Sequence, residues 1–269
     1  MAGVSPELRA WILATAGAGH DATQLLRLMQ EAGYTLPQSR AALAEVLPAA
    51  MAAASSDGAR PQHPHPPLAD AGDRRVRIAA SVEAPPLRLI QDLLDADECA
   101  ALIAQARPRL ARVRTVAEDG RQQIDARRTS AGMFFALGET PLVARIEQRI
   151  AALTGLPTTH GEGLQVLHYQ PGQQYEPHYD WFDPAQPGFA AVSARGGQRV
   201  ATVVIYLNTP EEGGGTAFPG LGLTFTALAG SAVYFAYAAG DALSLHAGLP
   251  VLRGEKWIAT KWLRERPFG

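Results

Sequence analysis

The chain has 269 residues, of which 47% are hydrophobic and 19% are charged, and its formal net charge is -2. A chain of this length can bury a large core and fold alone, as one main domain with a small additional one. The near-neutral charge and the lack of a basic stripe exclude an electrostatic case for a nucleic-acid or anionic-membrane partner. No run of about 18 apolar residues occurs, so we expect no membrane span.

The single cysteine and the amino terminus bear on the cellular compartment. One cysteine permits no internal disulfide. The spacing of Cys99, Leu102 and Ile103 after an Asp95-x-x-Glu98 capping box predicts a buried helix residue rather than a reactive thiol. The first residues lack the basic segment of a secretory signal. We therefore expect a cytoplasmic protein.

Residues 1–48 predict a module of three short amphipathic helices. An apolar stripe of Leu8, Trp11 and Ile12 marks the first helix. The helix starts are marked by capping signals at Ser5-Pro6, Asp21-x-x-Gln24 and Thr35-x-x-Gln38. Helices this short bury little surface unless they pack together and against something else. We expect the module either to cover the main domain or to bind a second subunit or a polypeptide substrate.

Residues 49–73 are rich in Ala, Ser, Gly and Pro and lack apolar periodicity. This composition predicts a linker that its prolines keep partly extended. His63 and His65 could bind a metal adventitiously, but solvated linker residues are the favoured interpretation. The main domain then comprises residues 74–269.

The main domain begins with helices and continues almost entirely as strands. A strand at residues 87–90 leads to the Cys99 helix, and a second helix runs from the Thr140 cap to Gly155. We expect both helices to brace one face of a sheet. Further strands are predicted at 164–169, 175–178, 200–207, 223–226, 232–237, 242–246 and 256–263. Short strands separated by Gly/Pro turns indicate a sandwich or barrel.

Two polar segments are candidate substrate loops. Residues 182–198 are rich in Gly, Pro and Ala and follow the first two metal-ligand candidates described below. A loop there suits a lid that orders over a bound peptide, although a plain surface insertion fits as well. Residues 117–125 are the second candidate.

Three residues are candidate metal ligands. Alternate side chains of an extended strand share a face, so His178 and Asp180 project to the same side. By itself, H-x-D is more often a pair of solvated polar residues in a surface strand. A downstream histidine, His246, ends an apolar segment on a neighbouring predicted strand. Together the three would form the 2-His-1-carboxylate triad that favours non-haem Fe(II) and leaves coordination positions open.

A lysine on the last predicted strand is a candidate anion ligand. Lys256, Ile258, Thr260 and Trp262 fall on one face of this strand. A lysine that faces inward is costly unless an anion meets it, and a dicarboxylate cosubstrate could be that anion. A strand-end lysine that reaches back to water is the alternative.

The chain resembles the prolyl 4-hydroxylase group of Fe(II)/2-oxoglutarate dioxygenases over roughly residues 87 to 266. The central motifs are Gln173-x-Tyr175-x-x-His178-x-Asp180 and His246-x-x-x-Pro250-Val251-x-x-Gly254-x-Lys256-Trp257. The connecting motifs are Arg127-Arg128-Thr129-Ser130-Ala131-Gly132, Leu164-Gln165-Val166, Arg199-Val200-Ala201-Thr202, Ile205-Tyr206-Leu207-Asn208 and Gly213-Gly214-Gly215-Thr216-Ala217-Phe218-Pro219. Related oxygenases that modify lysine or nucleic-acid bases commonly use arginine for the cosubstrate, so Lys256 favours the prolyl group.

The resemblance implies a fold. It predicts a mostly β protein with flanking helices, in which a double-stranded β-helix, or jelly roll, holds the metal at its mouth. The small helical module at the amino terminus lies outside the resemblance.

The resemblance also implies roles for individual residues. His178, Asp180 and His246 would bind Fe(II), while Lys256 would pair with the distal carboxylate of 2-oxoglutarate with Tyr175 as a hydrogen-bonding partner. Weaker candidates for lining the substrate site are Tyr169, Arg199 and Trp262. These three could equally be a strand aromatic, a solvated charge and a core residue.

The activity implied is hydroxylation of a prolyl residue in a peptide or protein. Dioxygen and 2-oxoglutarate would be consumed, succinate and CO2 released, and ascorbate would serve as reductant. The alternatives are a hydroxylase of a free amino acid or a non-prolyl side chain, a non-catalytic binding module, and a zinc hydrolase. Neither of the last two needs a cosubstrate anchor such as Lys256 and Tyr175.

Overall fold

The computed structural model describes residues 4–17, 20, 22–47, 59–112, 115–116, 122–123 and 129–268. The chain divides into two compact units, Met1–Gly58 and Ala59–Gly269. No helix among the described residues is both long and apolar enough to span a bilayer.

The described residues of the first unit form three helices, in the segments where the sequence predicts them. They are α1 (Pro6–Gly17), α2 (Ala22–Glu31) and α3 (Leu36–Val46). Thr35 begins α3 with the predicted capping box, whereas the predicted cap at Asp21 lies outside the described residues. The shared core consists of Ile12, Leu25, Met29, Ala42, Leu43 and Val46. The prediction for Trp11 was wrong: its side chain is 38% exposed, because Leu8 and Ile12, one turn apart, form the inward face.

The second unit consists mainly of strands. They are β1 (Leu68–Asp70), β2 (Arg75–Glu83), β3 (Pro86–Gln91), β4 (Ala111–Arg112), β5 (Thr115–Val116), β6 (Gln122–Gln123), β7 (Ala131–Phe135), β8 (Leu164–Tyr169), β9 (Tyr175–His178), β10 (Arg199–Tyr206), β11 (Glu212–Gly213), β12 (Thr216–Phe218), β13 (Leu223–Phe225), β14 (Ala232–Ala236), β15 (His246–Gly248), β16 (Val251–Arg253) and β17 (Lys256–Arg264). The helices are α4 (Ala96–Ala106), α5 (Pro141–Thr154) and α6 (Phe189–Ser193), with single 3-10 turns at Arg107–Arg109, Thr158–His160, Pro219–Leu221 and Ala242–Ser244.

Two antiparallel sheets face each other across an apolar layer. The larger sheet has the order β1-β2-β3-β14-β10-β17-β8-β7-β4, and the smaller one has the order β13-β12-β15-β9. Phe218 and Phe225 of the smaller sheet share one buried cluster with Val204 and Phe235 of the larger one. This is the predicted jelly-roll arrangement, in which the space between the sheets opens toward β9 and β15.

The helices cover the outer face of the larger sheet, as the sequence predicts. Cys99 of α4 and Ile146 of α5 belong to one buried cluster with Val166 and Val203 of the sheet. Cys99 is 3% exposed, and burial raises the pKa of its thiol to about 11, which agrees with the prediction of an unreactive core residue. Because the larger sheet is covered on both faces, all nine residues of β17 are buried.

The predicted linker over residues 49–73 was wrong from residue 59 onward. Residues 49–58 lie outside the described residues. The Ala59 N–H donates to the Glu265 carbonyl at 2.7 Å, and His63 Nδ1 lies 2.9 Å from the Tyr234 hydroxyl. The buried Arg88 guanidinium binds the Pro64 carbonyl at 2.9 Å. Composition predicts a solvated segment, but these partners satisfy its backbone and one histidine, so the main domain begins before residue 74.

The predicted strand at 242–246 was also wrong. Residues Ala242–Ser244 form a 3-10 turn, and the strand β15 begins only at His246. The Asp241 side chain accepts a hydrogen bond from the Leu243 N–H at 3.1 Å, which stabilises the helical turn. Sequence reasoning also missed several strands, among them β2 and β7.

The two candidate substrate loops have different outcomes. Residues 113–114, 117–121 and 124–128 lie outside the described residues, so the loop at 117–125 stays a prediction. The segment 182–198 contains α6, and its ends are joined by the Gln198 side chain, which binds both the N–H and the carbonyl of Phe182. Its action as a lid also stays a prediction.

A buried ion pair joins β17 to α5. Lys261 points to the helix side of the larger sheet, where its ammonium binds Glu147, and the exposed fractions of the two side chains are 1% and 2%. Glu147 also accepts a hydrogen bond from the Gly138 N–H at 2.8 Å. Both charges are therefore satisfied within the protein.

We expect Lys261→Met to destabilise the protein, because it leaves the Glu147 carboxylate buried without its cation. Breaking a buried ion pair from one side costs about 3 to 5 kcal/mol in the free energy of unfolding. Urea denaturation followed by tryptophan fluorescence measures the loss. The double variant Lys261→Met/Glu147→Gln removes both charges, keeps an acceptor for Gly138 and should recover most of it. A single variant as stable as the wild type would contradict a structural role for this pair.

Candidate metal centre

Strand pairing brings the three candidate metal ligands together. In the antiparallel pair of β9 and β15, His178 lies opposite His246, and Asp180 follows two residues after the end of β9. The ligand atoms of these residues all lie within 4.8 Å of one another. His178 Nε2 is 3.7 Å from Asp180 Oδ1, and His246 Nε2 is 3.6 Å from Asp180 Oδ2. Among the described residues, this is the one His/Cys/Asp/Glu group close enough to hold a metal ion.

Both histidines present the same ring nitrogen to the cluster. His178 Nδ1 lies 2.8 Å from the Glu176 carbonyl, and His246 Nδ1 lies 3.0 Å from the Ser244 carbonyl. A carbonyl only accepts hydrogen bonds, so each Nδ1 carries a proton and each Nε2 keeps a lone pair. Backbone carbonyls commonly orient metal-binding histidines in this way.

Asp180 is held ionised inside the protein. Burial would raise the pKa of this carboxyl, but the neighbouring His246, His178 and Arg199 and a hydrogen bond from Thr202 together lower it to about 2. The Thr202 hydroxyl donates to Asp180 Oδ2 at 2.7 Å. A carboxylate and two imidazole Nε2 atoms are thus available on one side of the cluster. Such a donor set fits a divalent metal with open coordination positions.

Aromatic rings fix the positions of the two imidazoles. Tyr175 stacks on His178 with 3.6 Å between ring centroids. Phe235 meets His246 edge to face at 4.7 Å, and Phe218 stacks on it at 5.7 Å. This packing restricts ring rotation and keeps water from the back of the cluster.

A pocket extends from the cluster between the two sheets. It has a volume of about 420 Å³ including its open mouth. Its lining consists of Leu167, Tyr169, Tyr175, His178, Asp180, Val204, Thr216, His246, Gly248, Lys256, Ile258, Thr260 and Trp262. The four residues that the sequence places on one face of β17, from Lys256 to Trp262, all line it.

Lys256 brings a buried ammonium into this pocket. The residue is 2% exposed, and no carboxylate among the described residues contributes to the pKa of its ammonium. Its Nζ lies 5.4 Å from the centroid of the Tyr169 ring and 6.0 Å from that of Tyr206. Burial lowers the pKa of this ammonium from 10.5 to about 8. A lysine in this environment is suited to bind an anion.

Thr216 is a pocket residue whose role sequence reasoning missed. Its Oγ accepts a hydrogen bond from the buried Tyr206 hydroxyl at 2.8 Å. The threonine hydroxyl therefore keeps its own proton to donate into the pocket. The sequence analysis included Thr216 in the Gly-Gly-Gly-Thr motif but gave it no role. The pairing of β12 with β15 brings this threonine to the pocket.

The three weaker candidates for lining the substrate site, Tyr169, Arg199 and Trp262, do not all lie in the pocket. Tyr169 and Trp262 line the pocket, whereas Arg199 lies outside the lining. Arg199 binds both carboxylate oxygens of Glu162, at 2.6 and 2.9 Å, and its guanidinium lies 4.1 Å from the centroid of the Trp262 ring. Its Nη1 also donates to the Asp180 carbonyl at 3.4 Å. Arg199 thus supports the wall that carries Trp262 and the backbone of a candidate ligand.

The sequence profile described as the 2OG-Fe(II) oxygenase superfamily matches residues 164–264, the segment that contains all three candidate ligands and Lys256. A probable prolyl 4-hydroxylase 10 of Arabidopsis thaliana is 39% identical over 208 residues, which cover 68% of this chain and 70% of that protein. Probable prolyl 4-hydroxylase 3 of the same plant is 39% identical over 196 residues, with 64% and 67% covered. The chain belongs to the 2OG-Fe(II) oxygenase superfamily.

A solved structure of this superfamily has the same fold. The viral collagen prolyl hydroxylase of Paramecium bursaria Chlorella virus-1, crystallised with 2-oxoglutarate (2OG), is 31% identical to this chain. The comparison covers 66% of this chain and 95% of the viral protein, with a TM-score of 0.53. Fe(II) and 2-oxoglutarate are accordingly the metal and cosubstrate of the family to which this oxygenase belongs.

The environment of Lys256 predicts a gain in stability when the lysine is replaced. A native pKa of about 8 against 10.5 in the unfolded chain means that folding at neutral pH buries a charge without compensation. We expect Lys256→Met to raise the free energy of unfolding at neutral pH by on the order of 2 to 3 kcal/mol in the absence of ligands. Urea denaturation measures the change.

The pH dependence of this gain is also defined. Between pH 8 and 10.5 the unfolded chain binds more protons than the native protein. The wild type therefore becomes more stable as the pH rises through this range, and the difference in free energy of unfolding between Lys256→Met and the wild type decreases. Lys261→Met is the matched control, because it removes a paired lysine from the same strand and destabilises. A Lys256→Met protein less stable than the wild type at neutral pH would contradict the absence of a partner for this ammonium.

Proposed function

We propose that the protein is an Fe(II)- and 2-oxoglutarate-dependent dioxygenase that hydroxylates a prolyl residue in a peptide or protein and releases succinate and CO2. The observation that carries the proposal is the shared pocket of a His-Asp-His cluster and a buried ammonium without a carboxylate partner among the described residues. Both the Arabidopsis relatives and the viral protein are named as prolyl hydroxylases.

In this proposal His178, Asp180 and His246 hold the metal. The Nε2 lone pairs of the two imidazoles and one carboxylate oxygen are the donors, and the carbonyls of Glu176 and Ser244 keep both rings in the required tautomer. Fe(II), when bound, supplies the redox chemistry that couples decarboxylation of 2-oxoglutarate to oxygen insertion into a C–H bond. Ascorbate serves as the reductant in this family.

Lys256 is the proposed partner of the distal carboxylate of 2-oxoglutarate. An ionic partner restores the pKa of the ammonium and offsets the cost of its burial. Tyr175 and the free hydroxyl proton of Thr216 are further donors for the same dicarboxylate, at the same pocket. Gly248 lies beside the ammonium, since a Cβ at this position would stand 3.9 Å from Lys256 Nζ, in ordinary van der Waals contact. Leu167, Val204 and Ile258 suit the methylene groups between the two carboxylates.

The substrate peptide is proposed to enter at the Trp262 side of the pocket. Among the described residues, no group accepts a hydrogen bond from the buried Trp262 Nε1, so the indole N–H is available for a peptide carbonyl. Tyr169 is a further wall residue, and Arg199 acts from behind Trp262. The substrate-binding roles of these three residues stay predictions. Residues 182–198 are the proposed lid.

The proposal extends to the role of the first unit and to the cellular location. We propose that residues 1–48 bind the polypeptide substrate or a second subunit. The cytoplasmic location inferred from the sequence also stays a prediction.

Free amino acids and non-prolyl side chains are the alternative substrates of the same centre, and mass spectrometry of products separates them from a peptidyl proline that gains one oxygen.

Removal of a metal ligand tests the centre directly. We expect His178→Ala and Asp180→Ala each to lower 2-oxoglutarate-dependent succinate formation by at least about a hundredfold, since the loss of a ligand exceeds the effect of losing an outer partner. His168→Ala is the matched control, because His168 stacks on Trp257 and binds Glu255 away from the pocket. Succinate formation at the wild-type rate in His178→Ala or Asp180→Ala would contradict the proposed metal site.

Removal of the ammonium tests the cosubstrate assignment. We expect Lys256→Ala to raise the KM for 2-oxoglutarate by about 10- to 100-fold, the range for loss of a charged hydrogen bond, with a smaller effect on kcat at saturation. Lys256→Arg keeps the positive charge and should lose less. Steady-state succinate assays at varied 2-oxoglutarate give both constants. An unchanged KM in Lys256→Ala would show that this lysine is not the anchor.

A further inference from the structure

A chain of two hydrogen bonds runs from the metal-ligand candidate Asp180 into the larger sheet. Thr202 Oγ lies 2.7 Å from Asp180 Oδ2 and also 2.7 Å from the hydroxyl of Tyr237. Thr202 is fully buried, and the exposed fractions of Asp180 and Tyr237 are 6% and 7%. The three groups thus form a buried polar chain beside the ion pair of Arg199 and Glu162.

The direction of both hydrogen bonds follows from the chemistry of the groups. An ionised carboxylate only accepts, so Thr202 must donate its single hydroxyl proton to Asp180. The Thr202 oxygen then has only acceptor capacity left, so the Tyr237 O–H must donate to it. Accepting from Tyr237 polarises the Thr202 hydroxyl and strengthens its bond to the carboxylate.

The sheet keeps this chain in one arrangement. Thr202 lies in the middle of β10 and pairs with Phe235 of β14. Tyr237 follows β14, and its N–H donates to the Val200 carbonyl at 3.0 Å. Phe235 lies 5.7 Å from the Tyr237 ring and 4.7 Å from the His246 ring, centroid to centroid. Thr202 therefore stands on a central strand of the larger sheet, and a backbone hydrogen bond ties Tyr237 to the same strand.

We propose that Tyr237 and Thr202 are positioning residues that fix the rotation of the Asp180 carboxylate and assign different tasks to its two oxygens. Oδ2 accepts the charge-assisted hydrogen bond, which makes it the weaker metal donor, and Oδ1 remains for the metal. A carboxylate that binds through one oxygen leaves more coordination positions open than one that chelates. The inference rests on the proposed function, since it assumes that the His-Asp-His cluster binds a divalent metal.

The hydrogen-bonding effect of Tyr237 on Asp180 runs through Thr202. The Tyr237 hydroxyl is hydrogen-bonded to the Thr202 oxygen, and the Thr202 hydroxyl in turn binds the carboxylate, so this effect requires the threonine hydroxyl. Two residues that act in series through one hydrogen bond give non-additive effects when both are removed. This property separates the proposal from simple loss of packing.

Co(II) binding to the full-length protein, followed by visible absorbance without 2-oxoglutarate, tests the proposal independently of turnover. We expect Thr202→Val to weaken Co(II) affinity by about 10- to 100-fold, the range for loss of an outer partner of a metal ligand. Tyr237→Phe should weaken it by about 2- to 10-fold. The double variant should match Thr202→Val to within about twofold. Thr202→Ser keeps the donor and should restore most of the affinity.

Tyr234→Phe is the matched control for removal of a buried tyrosine hydroxyl. Tyr234 lies in β14, the strand that Tyr237 follows, but its hydroxyl meets His63 on the other side of the sheet, so Co(II) affinity should stay at the wild-type value. Thermal denaturation of every variant shows whether the fold is retained.

The results that would overturn the proposal are distinct from those that would overturn the function. Wild-type affinity in Thr202→Val, or additive losses in the double variant, would refute the positioning chain and leave the metal site standing. A wild-type protein that binds no Co(II), while His178→Ala behaves in the same way, would refute the metal site and the chain with it.

Discussion

The pairing of β9 with β15 is the constraint on which the candidate site depends. It sets His178 opposite His246 although 67 residues separate them along the chain, and it brings Asp180 to the end of the same strand. Strand β12 joins β15 on its other edge and carries Thr216. The smaller sheet thus supplies both imidazoles and one hydroxyl, and a one-residue slip in register would turn a histidine out of the pocket.

The larger sheet supplies the opposite wall and most of the orienting groups. Lys256 and Trp262 come from β17, Thr202 and Arg199 come from β10, and these two strands are paired over most of their length. Each charged group near the cluster has a different task in this wall. Arg199 is neutralised by Glu162 and supports Trp262 and the Asp180 backbone, whereas Lys256 has no such carboxylate among the described residues. The paired charge of Arg199 stabilises the pocket wall, whereas the unpaired charge of Lys256 is able to bind an anionic ligand.

Much of the β framework and of the candidate ligand set could be predicted from the sequence because both depend on local patterns. The prediction that His178 and Asp180 lie together was correct although β9 ends at His178, and the inward face of β17 was correct from Lys256 to Trp262. What failed depends on distant partners. The segment around His63 looked like a linker because neither Tyr234 nor the buried Arg88 can be inferred from its composition. The roles of Thr216, Thr202 and Tyr237 escaped for the same reason, since each is defined by a hydrogen bond across strands.

The two buried lysines of β17 show how stability and binding are separated within one strand. Lys261 faces the helices and meets Glu147, while Lys256 faces the pocket, where no carboxylate of the described chain pairs with it. Alternation along the strand puts them on opposite faces, so one can serve the fold and the other the ligand without interference. Folding alone gives no reason to retain the second, because an apolar residue of similar size would be more stable there. We therefore propose that the Lys256 ammonium is retained for an anion that enters the pocket after folding, where Thr216 offers a hydroxyl in the same lining.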